Sequence, residues 1–147
     1  FRSVQVQWFD NPEDPGVVAG TRPLKQRRRA TYVYRAPFQL LLRLEELDAG
    51  SVKTILFLAL PETDTSTRIY TKMLLHNIGG ELRPGPETVA REVAFEEAVL
   101  AEDLALQAVV TILGLPLDMR TELHVRADRL GVALRRELTR FLDSAAG

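Results

Sequence analysis

Alternation of apolar and polar side chains dominates the first half of the chain. Between Phe38 and Leu44 every second residue is apolar, which places one row of side chains on a buried face of a strand. The turn sequence Asp48-Ala49-Gly50 follows, and then an almost wholly apolar segment, so the two segments predict a β-hairpin. Short links between such segments favour antiparallel pairing. The pattern predicts a curved antiparallel sheet within residues 24–77, with strands at residues 30–34, 38–45, 52–60 and 68–76.

The second half of the chain has the spacing of helices. Pro86 and Gly114 suit the two ends of a helix, so residues 86–113 are predicted to form one long helix. Residues 118–143 are predicted to form a second, amphipathic helix, whose apolar face lies opposite a row of arginines. Its apolar stripe comprises Leu123, Ala127, Leu130, Leu134, Leu138 and Phe141. Strands followed by helices, without βαβ alternation, predict an α+β fold with helices on one face of the sheet.

Composition excludes several classes of function. The chain has 147 residues, enough for one domain, and a formal net charge of −1, which gives no overall attraction to nucleic acid or an anionic membrane. It contains no cysteine, so a disulfide, a thiolate nucleophile and an all-cysteine iron–sulfur cluster are excluded. No membrane span or signal peptide is visible, and we expect a cytoplasmic protein. Residues 10–23 are predicted to form a loop, and because Phe1 is not a methionine, we expect residues 1–147 to be a single partial domain of a longer protein.

One carboxylate interrupts the apolar stripe of the first predicted helix. The stripe comprises Phe95, Val99, Leu106 and Val110, and the position that completes the series holds Asp103. Burial of an unpaired carboxylate is costly, so Asp103 is expected to be paired, protonated or bound to a cation. Three interpretations stay open: an aspartate satisfied by a strand arginine or exposed by a rotated helix, a general base, and a metal ligand. Three glutamates lie off the centre of the stripe and are predicted to be solvated: Glu96, Glu97 and Glu102. Glu102 is the alternative ligand if the helical register shifts by one.

Several short motifs follow one another in a characteristic order. They are Pro37-Phe38-Gln39-Leu40, Phe57-Leu58-Ala59-Leu60-Pro61, Thr67-Arg68-Ile69-Tyr70, the pair Glu102-Asp103 within residues 97–107, and a closing helix from Ala127-Asp128-Arg129-Leu130 to Arg135-Arg136. Over residues 24–142 their order and spacing resemble the catalytic domain of Rieske non-haem iron oxygenases. The resemblance is closer to the vanillate O-demethylase and phenylpropionate-dioxygenase-like α subunits of that family.

The resemblance implies a helix-grip domain, in which a curved antiparallel sheet wraps a long helix that a second helix follows. It implies mononuclear iron(II) held by two histidines and one carboxylate, with Asp103 as the carboxylate. Where the family often has a glutamate soon after this aspartate, the chain has Gln107 one turn later, which we expect to hydrogen-bond to Asp103. It also implies a Rieske 2Fe–2S cluster on an N-terminal region, a homotrimer, and electrons from an NAD(P)H-dependent reductase or ferredoxin. The implied reaction is hydroxylation or oxidative demethylation of an aromatic or similar apolar substrate. Four apolar residues are candidates for the substrate pocket: Phe38, Leu42, Ile55 and Phe57.

The chain departs from that family at the metal site. Its two histidines, His76 and His124, match no close histidine pair, and we expect both to be surface or hydrogen-bonded residues. A single carboxylate cannot hold iron(II), because divalent sites need several ligands in a fixed geometry. We therefore expect this chain alone to be inactive and the remaining ligands to lie elsewhere in a longer protein. The alternative is a non-catalytic helix-grip module that binds a small hydrophobic ligand without a metal.

The basic run Lys25-Gln26-Arg27-Arg28-Arg29 has three possible interpretations. As a nucleic-acid patch it is weak, because it is one short run without a recognised nucleic-acid-binding fold. A solvated strand start or a docking surface for an acidic redox partner is favoured. The acidic residues of segment 81–103 offer this run partners across a subunit contact or within the domain.

Overall fold

Five strands stand side by side in the sheet in the same order as in the chain. This computed structural model describes residues 1–110, 114–120 and 122–146, and every neighbouring pair of strands is antiparallel. The strands are β1 (Arg2–Asp10), β2 (Lys25–Arg35), β3 (Gln39–Glu46), β4 (Val52–Pro61) and β5 (Thr67–His76). The helices are α1 (Pro15–Val18), α2 (Pro86–Ala108) and α3 (Arg129–Ala145), with a single 3-10 turn at Arg126–Asp128 before α3. The predicted α+β class is confirmed.

The sheet has one strand more than the four predicted. β1 lies at the edge and pairs with β2 along its whole length, from Arg2 opposite Val33 to Asp10 opposite Lys25. The signal for this strand is the alternation of three apolar residues with polar ones, at Val4, Val6 and Trp8. These three side chains are exposed, which is why their alternation marks a strand but identifies no core face.

The predicted hairpin of β3 and β4 is present. Leu42 lies opposite Ile55 and Leu40 opposite Phe57, so the alternating row of β3 meets the apolar residues of β4 on one face. The turn between the strands contains Gly50, whose φ of 78° is a left-handed conformation that glycine adopts without steric strain. The alternation in the sequence therefore predicted both the pairing and the face.

The two long helices are shorter than predicted. α2 begins at Pro86 as expected but ends at Ala108, so Val110 lies beyond it, and residues 111–113 are outside the described part of the chain. α3 begins at Arg129 rather than near residue 118. A 3-10 turn precedes it, and Leu123, which was predicted to belong to its apolar stripe, is 92% exposed. The apolar stripe of α3 is half-buried only from Leu130 to Leu138. No helix in the described ranges is long and apolar enough to span a membrane.

The predicted loop 10–23 contains the short helix α1 and a buried carboxylate. Asp14 caps α1 through a 2.9 Å hydrogen bond from the Gly16 backbone N–H. The same carboxylate accepts hydrogen bonds from Arg22 Nε at 2.7 Å and from Gln26 Nε2 at 2.6 Å. Because Gln26 is fully buried at the start of β2, these contacts attach the loop to the sheet.

One face of the sheet carries the core, and we call it the helix-side face. The most buried apolar residues, Ala30, Tyr34 and Ile55, all belong to it by strand register. Lys53 on this face is ion-paired to α2. Burial raises the pKa of the Tyr34 hydroxyl, and the negative charge of Glu137 in α3 adds to this effect. The ion pairs of Lys53 therefore place α2 on the side of the sheet where the alternating apolar row points.

Candidate functional site

The helix-side face and α2 enclose a small cavity with apolar walls. Its volume is about 210 Å³, with β4 and β5 on one side and α2 on the other. Its lining residues are Ile55, Phe57, Thr71 and Met73 from the strands and Val93, Glu96, Glu97, Val99, Leu100 and Asp103 from α2. Strand register sets Met73 opposite Ile55 and Thr71 opposite Phe57, so the four strand residues form one contiguous wall. Asp103 thus lies at an apolar cavity, on the sheet side of its helix.

The expectation that Asp103 lies buried within an apolar stripe is wrong, and the interpretation in which a rotated helix exposes it is the one that the structure agrees with. Asp103 is exposed, and Phe95 and Leu106 of that stripe are 59% and 67% exposed. The face of α2 with the least exposure is instead a run at every fourth position, namely Thr88, Glu92, Glu96 and Leu100. At about 100° per residue, Asp103 points within about 20° of Glu92, so it continues this sheet-facing run towards the open end of the cavity.

Lys53 in β4 explains why carboxylates occupy the sheet-facing positions of α2. Its Nζ lies 2.7 Å from Glu92 Oε2 and donates a 2.8 Å hydrogen bond to Glu96 Oε1. Burial works against the charge on Lys53, but the two carboxylates more than offset it, so the pKa of this ammonium group is raised. Glu96, predicted to be solvated, is in fact half-buried and paired; the prediction missed Lys53 because no local pattern links β4 to α2.

The described residues do not by themselves fit a mononuclear iron site. Over ranges 1–110, 114–120 and 122–146, no three His, Cys, Asp or Glu side chains are grouped closely enough to hold a metal ion. His76 ends β5, three residues and about 10 Å along the strand from Met73, and strand register places its side chain on the face opposite the cavity. His124 has its Nε2 atom 3.8 Å from Glu122 Oε2. Neither histidine lines the cavity, and its candidate ligands from the described residues are the carboxylates of Glu96, Glu97 and Asp103, the first of which is paired with Lys53.

Two of the four predicted pocket residues line the cavity. Ile55 and Phe57 do so, whereas Leu42 lies beside Ile55 in the sheet without lining the cavity. Phe38 precedes β3, is 47% exposed and does not line this cavity. The place of Phe38 in the alternating row predicted a buried side chain, but the row begins one residue before the strand does. The residues missed by sequence reasoning are Thr71, Met73 and the α2 residues before Asp103; pairing Phe57 with β5 would have identified the first two.

Gln107 lies one helical turn beyond Asp103 and is exposed. No hydrogen bond between these two side chains is present within the described residues. Since 4 residues advance a helix by about 40° beyond one full turn, both side chains still leave the same side of α2. The expected hydrogen bond from Gln107 to Asp103 therefore stays a prediction that the helix geometry permits.

The three arginines of the basic run at the start of β2 form ion pairs along the sheet. Gln26 is fully buried, and each of the three arginines has a carboxylate partner in or beside β3. The N–O distances are 3.0 Å for Arg27–Asp48, 3.1 Å for Arg28–Glu46 and 3.5 Å for Arg29–Glu45. The partners come from β3 and its turn rather than from segment 81–103, because antiparallel register sets the two strands side by side.

In a comparison with family models the chain matches the vanillate O-demethylase oxygenase C-terminal domain. The match covers residues 2–144, which is nearly the whole chain and includes β1, both long helices and Asp103. No curated protein and no solved structure gives a significant match. The assignment of the chain to a family therefore rests on the match to this family model.

Proposed function

The chain belongs to the vanillate O-demethylase oxygenase C-terminal domain family, and from this premise we propose that it is the C-terminal catalytic portion of a Rieske-type oxygenase. Its substrate is an aromatic or similar apolar small molecule, which the complete enzyme hydroxylates or oxidatively demethylates. The observation that carries the proposal is that Asp103 lines the same cavity as Ile55 and Phe57. A carboxylate at the rim of an apolar cavity is placed between solvent and a bound ring.

The proposed contribution of this chain to the metal site is one carboxylate. By resemblance to the family, iron(II) would activate dioxygen in the complete enzyme. The electrons would come from a Rieske 2Fe–2S cluster and a reductase or ferredoxin. Asp103 is the proposed ligand, with Gln107 as its hydrogen-bond partner, and further ligands would come from outside the described residues. The helix-grip arrangement, in which α2 lies over the sheet, is supported by the cavity between α2 and β4–β5.

The apolar wall has the proposed role of binding and orienting the substrate. Ile55, Phe57 and Met73 exclude water from one side of the cavity, and the Thr71 hydroxyl offers a polar contact at its edge. The volume of about 210 Å³ is below the about 300–1,000 Å³ of pockets for drug-sized ligands. We therefore propose a substrate with a single substituted ring.

Blocking the cavity tests this proposal. We expect the complete oxygenase to demethylate members of a panel of methoxybenzenes that includes vanillate, consuming one dioxygen, two electrons and two protons per phenol, formaldehyde and water produced. Thr71→Trp should lower kcat/KM by about 100-fold, because the lost ring burial is worth about 2–3 kcal/mol. The measurement is substrate-dependent formaldehyde release and dioxygen uptake.

The matched control is Thr67→Trp, on the same strand but outside the cavity, which should retain wild-type activity. Equal loss in both variants would show that the strand, not the cavity, was damaged, and would contradict the proposed substrate site. If the complete protein binds the methoxybenzenes but consumes no dioxygen with any of them, the non-catalytic ligand-binding module replaces the oxygenase.

A further inference from the structure

We propose that Lys53 is a positioning residue that sets the rotation of α2 about its axis and thereby directs Asp103 to the cavity. Its importance for turnover rests on the proposed function, but its effect on the helix does not. The proposal is carried by the contacts of Lys53, by the angular positions of the side chains around α2, and by the exposure of the apolar stripe.

The contacts of Lys53 join the start of β4 to the middle of α2. The 2.7 Å and 2.8 Å distances to Glu92 and Glu96 are those of the two ion pairs that connect a strand to α2 within the described residues. All three side chains are mostly shielded from water, with 16%, 14% and 21% exposed. Charge-assisted hydrogen bonds in such surroundings are stronger and more directional than those at an open surface.

The angular positions around α2 link these contacts to Asp103. At about 100° per residue, Asp103 points between Glu92 and Glu96, about 20° from each. Lys53 therefore fixes the two side chains on either side of the direction of Asp103, two to three turns before it. As long as both ion pairs hold, the carboxylate of Asp103 has to face the sheet side of the helix.

The apolar stripe of α2 favours a different rotation. Phe95, Val99 and Leu106 point on average about 60° away from Asp103, and all three are exposed. Burial of these side chains against the apolar strand wall would be favourable, so hydrophobic contact alone would turn this stripe towards the sheet. That rotation would separate Lys53 from Glu92 and Glu96 and turn Asp103 from the cavity. The ion pairs oppose it.

Two adjacent positions report such a rotation with opposite signs. Val99 and Leu100 both line the cavity and lie on opposite sides of the sheet-facing direction. A rotation that brings the apolar stripe to the sheet buries Val99 further and exposes Leu100. Because the chain has no cysteine, Val99→Cys or Leu100→Cys introduces a single thiol whose modification rate follows its exposure.

The experiment measures thiol modification in these two single-cysteine variants, each with and without Lys53→Met. We expect Lys53→Met to accelerate modification at position 100 and to slow it at position 99, each on the order of threefold, because reactivity follows access. Loss of the ammonium changes both thiol pKa values in the same direction, so it cannot produce opposite changes. Lys53→Arg, which keeps the charge, should preserve both rates.

Lys72→Met is the matched control, since Lys72 lies on β5 with its side chain on the other face of the sheet. It should leave both rates unchanged. Acceleration at both positions would show that α2 detaches rather than rotates, and unchanged rates would show that Lys53 does not set the helix; either result overturns the proposal. In the complete oxygenase we expect Lys53→Met to lower kcat more than it raises KM. If Asp103 proves dispensable for turnover, the thiol rates still decide the rotation.

Discussion

Asp103→Asn in the complete oxygenase is expected to abolish turnover and to lower iron(II) affinity by at least about 100-fold, since even groups that only support a metal ligand contribute about 10–100-fold. Asparagine keeps the size of the side chain but removes the negative charge that a divalent cation needs. The fold should be unaffected, because Asp103 is exposed at the cavity rim and is not part of the core. Iron content by metal analysis and substrate-dependent dioxygen uptake are the measurements.

Glu102→Gln provides the matched control for that variant. Glu102 is the preceding residue, is exposed, carries the same charge and does not line the cavity. We expect it to retain both iron and turnover. If Glu102→Gln lost iron while Asp103→Asn kept it, the ligand would be Glu102, and the assignment from the cavity geometry would be wrong. Retention of iron by both variants would exclude both Asp103 and Glu102 as the carboxylate ligand.

Asp14→Asn is expected to lower the free energy of unfolding by about 2–3 kcal/mol, because it removes the charged acceptor at a buried site. The Asp14 side chain is fully buried and accepts hydrogen bonds from Gly16, Arg22 and Gln26. The amide of asparagine would direct its own N–H groups at some of these donors. The expected loss is at or below the lower limit for breaking a fully buried ion pair, since Arg22 is 36% exposed and partly hydrated. Urea unfolding of the wild type and the variant measures the difference.

The pH dependence of this difference gives a second measurement. The hydrogen bond from Arg22 outweighs burial and, with Gln26 and Gly16, holds the pKa of Asp14 well below its ordinary value of 3.8. A carboxyl group with a depressed pKa in the folded state stabilises the fold fully above the unfolded pKa, and this contribution is lost as pH falls towards the folded pKa. The difference between wild type and Asp14→Asn should therefore be constant from neutral pH to about pH 5 and shrink below pH 3.8.

Glu13→Gln is the control for both measurements, because Glu13 is the neighbouring carboxylate and is exposed. It should change the free energy of unfolding by less than about 0.5 kcal/mol, as surface substitutions usually do. A loss in Glu13→Gln equal to that in Asp14→Asn, or a difference that does not shrink in acid, would contradict the assigned role of the Asp14 hydrogen bonds.

Most of the strands could be predicted because strand patterns are local. The alternation from Phe38 to Leu44 and the Asp48-Ala49-Gly50 turn identified the β3–β4 hairpin and its buried face. The exposed edge strand β1 carries the same alternation but no core, so its pattern gave a weaker signal. The start of α3 was placed too early because Leu123 matches the helical spacing yet lies outside the helix. Spacing alone does not show where a helix begins.

The candidate site was predictable only in part. Asp103 was identified from its position in an apolar series, and the structure places it at a cavity, but exposed rather than buried. Its neighbours Thr71 and Met73 come from a strand about thirty residues earlier, and only the pairing of β4 with β5 brings them to Phe57 and Ile55. The half-burial of Glu96 depends on Lys53, which is 43 positions away in the chain.

The amino-acid sequence by itself determined the α+β class, the order of strands before helices, the hairpin and the acidic helix that carries Asp103, because periodicity and turn residues act over a few neighbouring positions. Tertiary structure alone decided which face of α2 meets the sheet. On helical spacing, the apolar stripe with Phe95 should be buried, yet Lys53 brings Glu92 and Glu96 to the sheet instead. An ion pair between distant segments has no period in the sequence, and so its effect on the direction of Asp103 appears only in the folded chain.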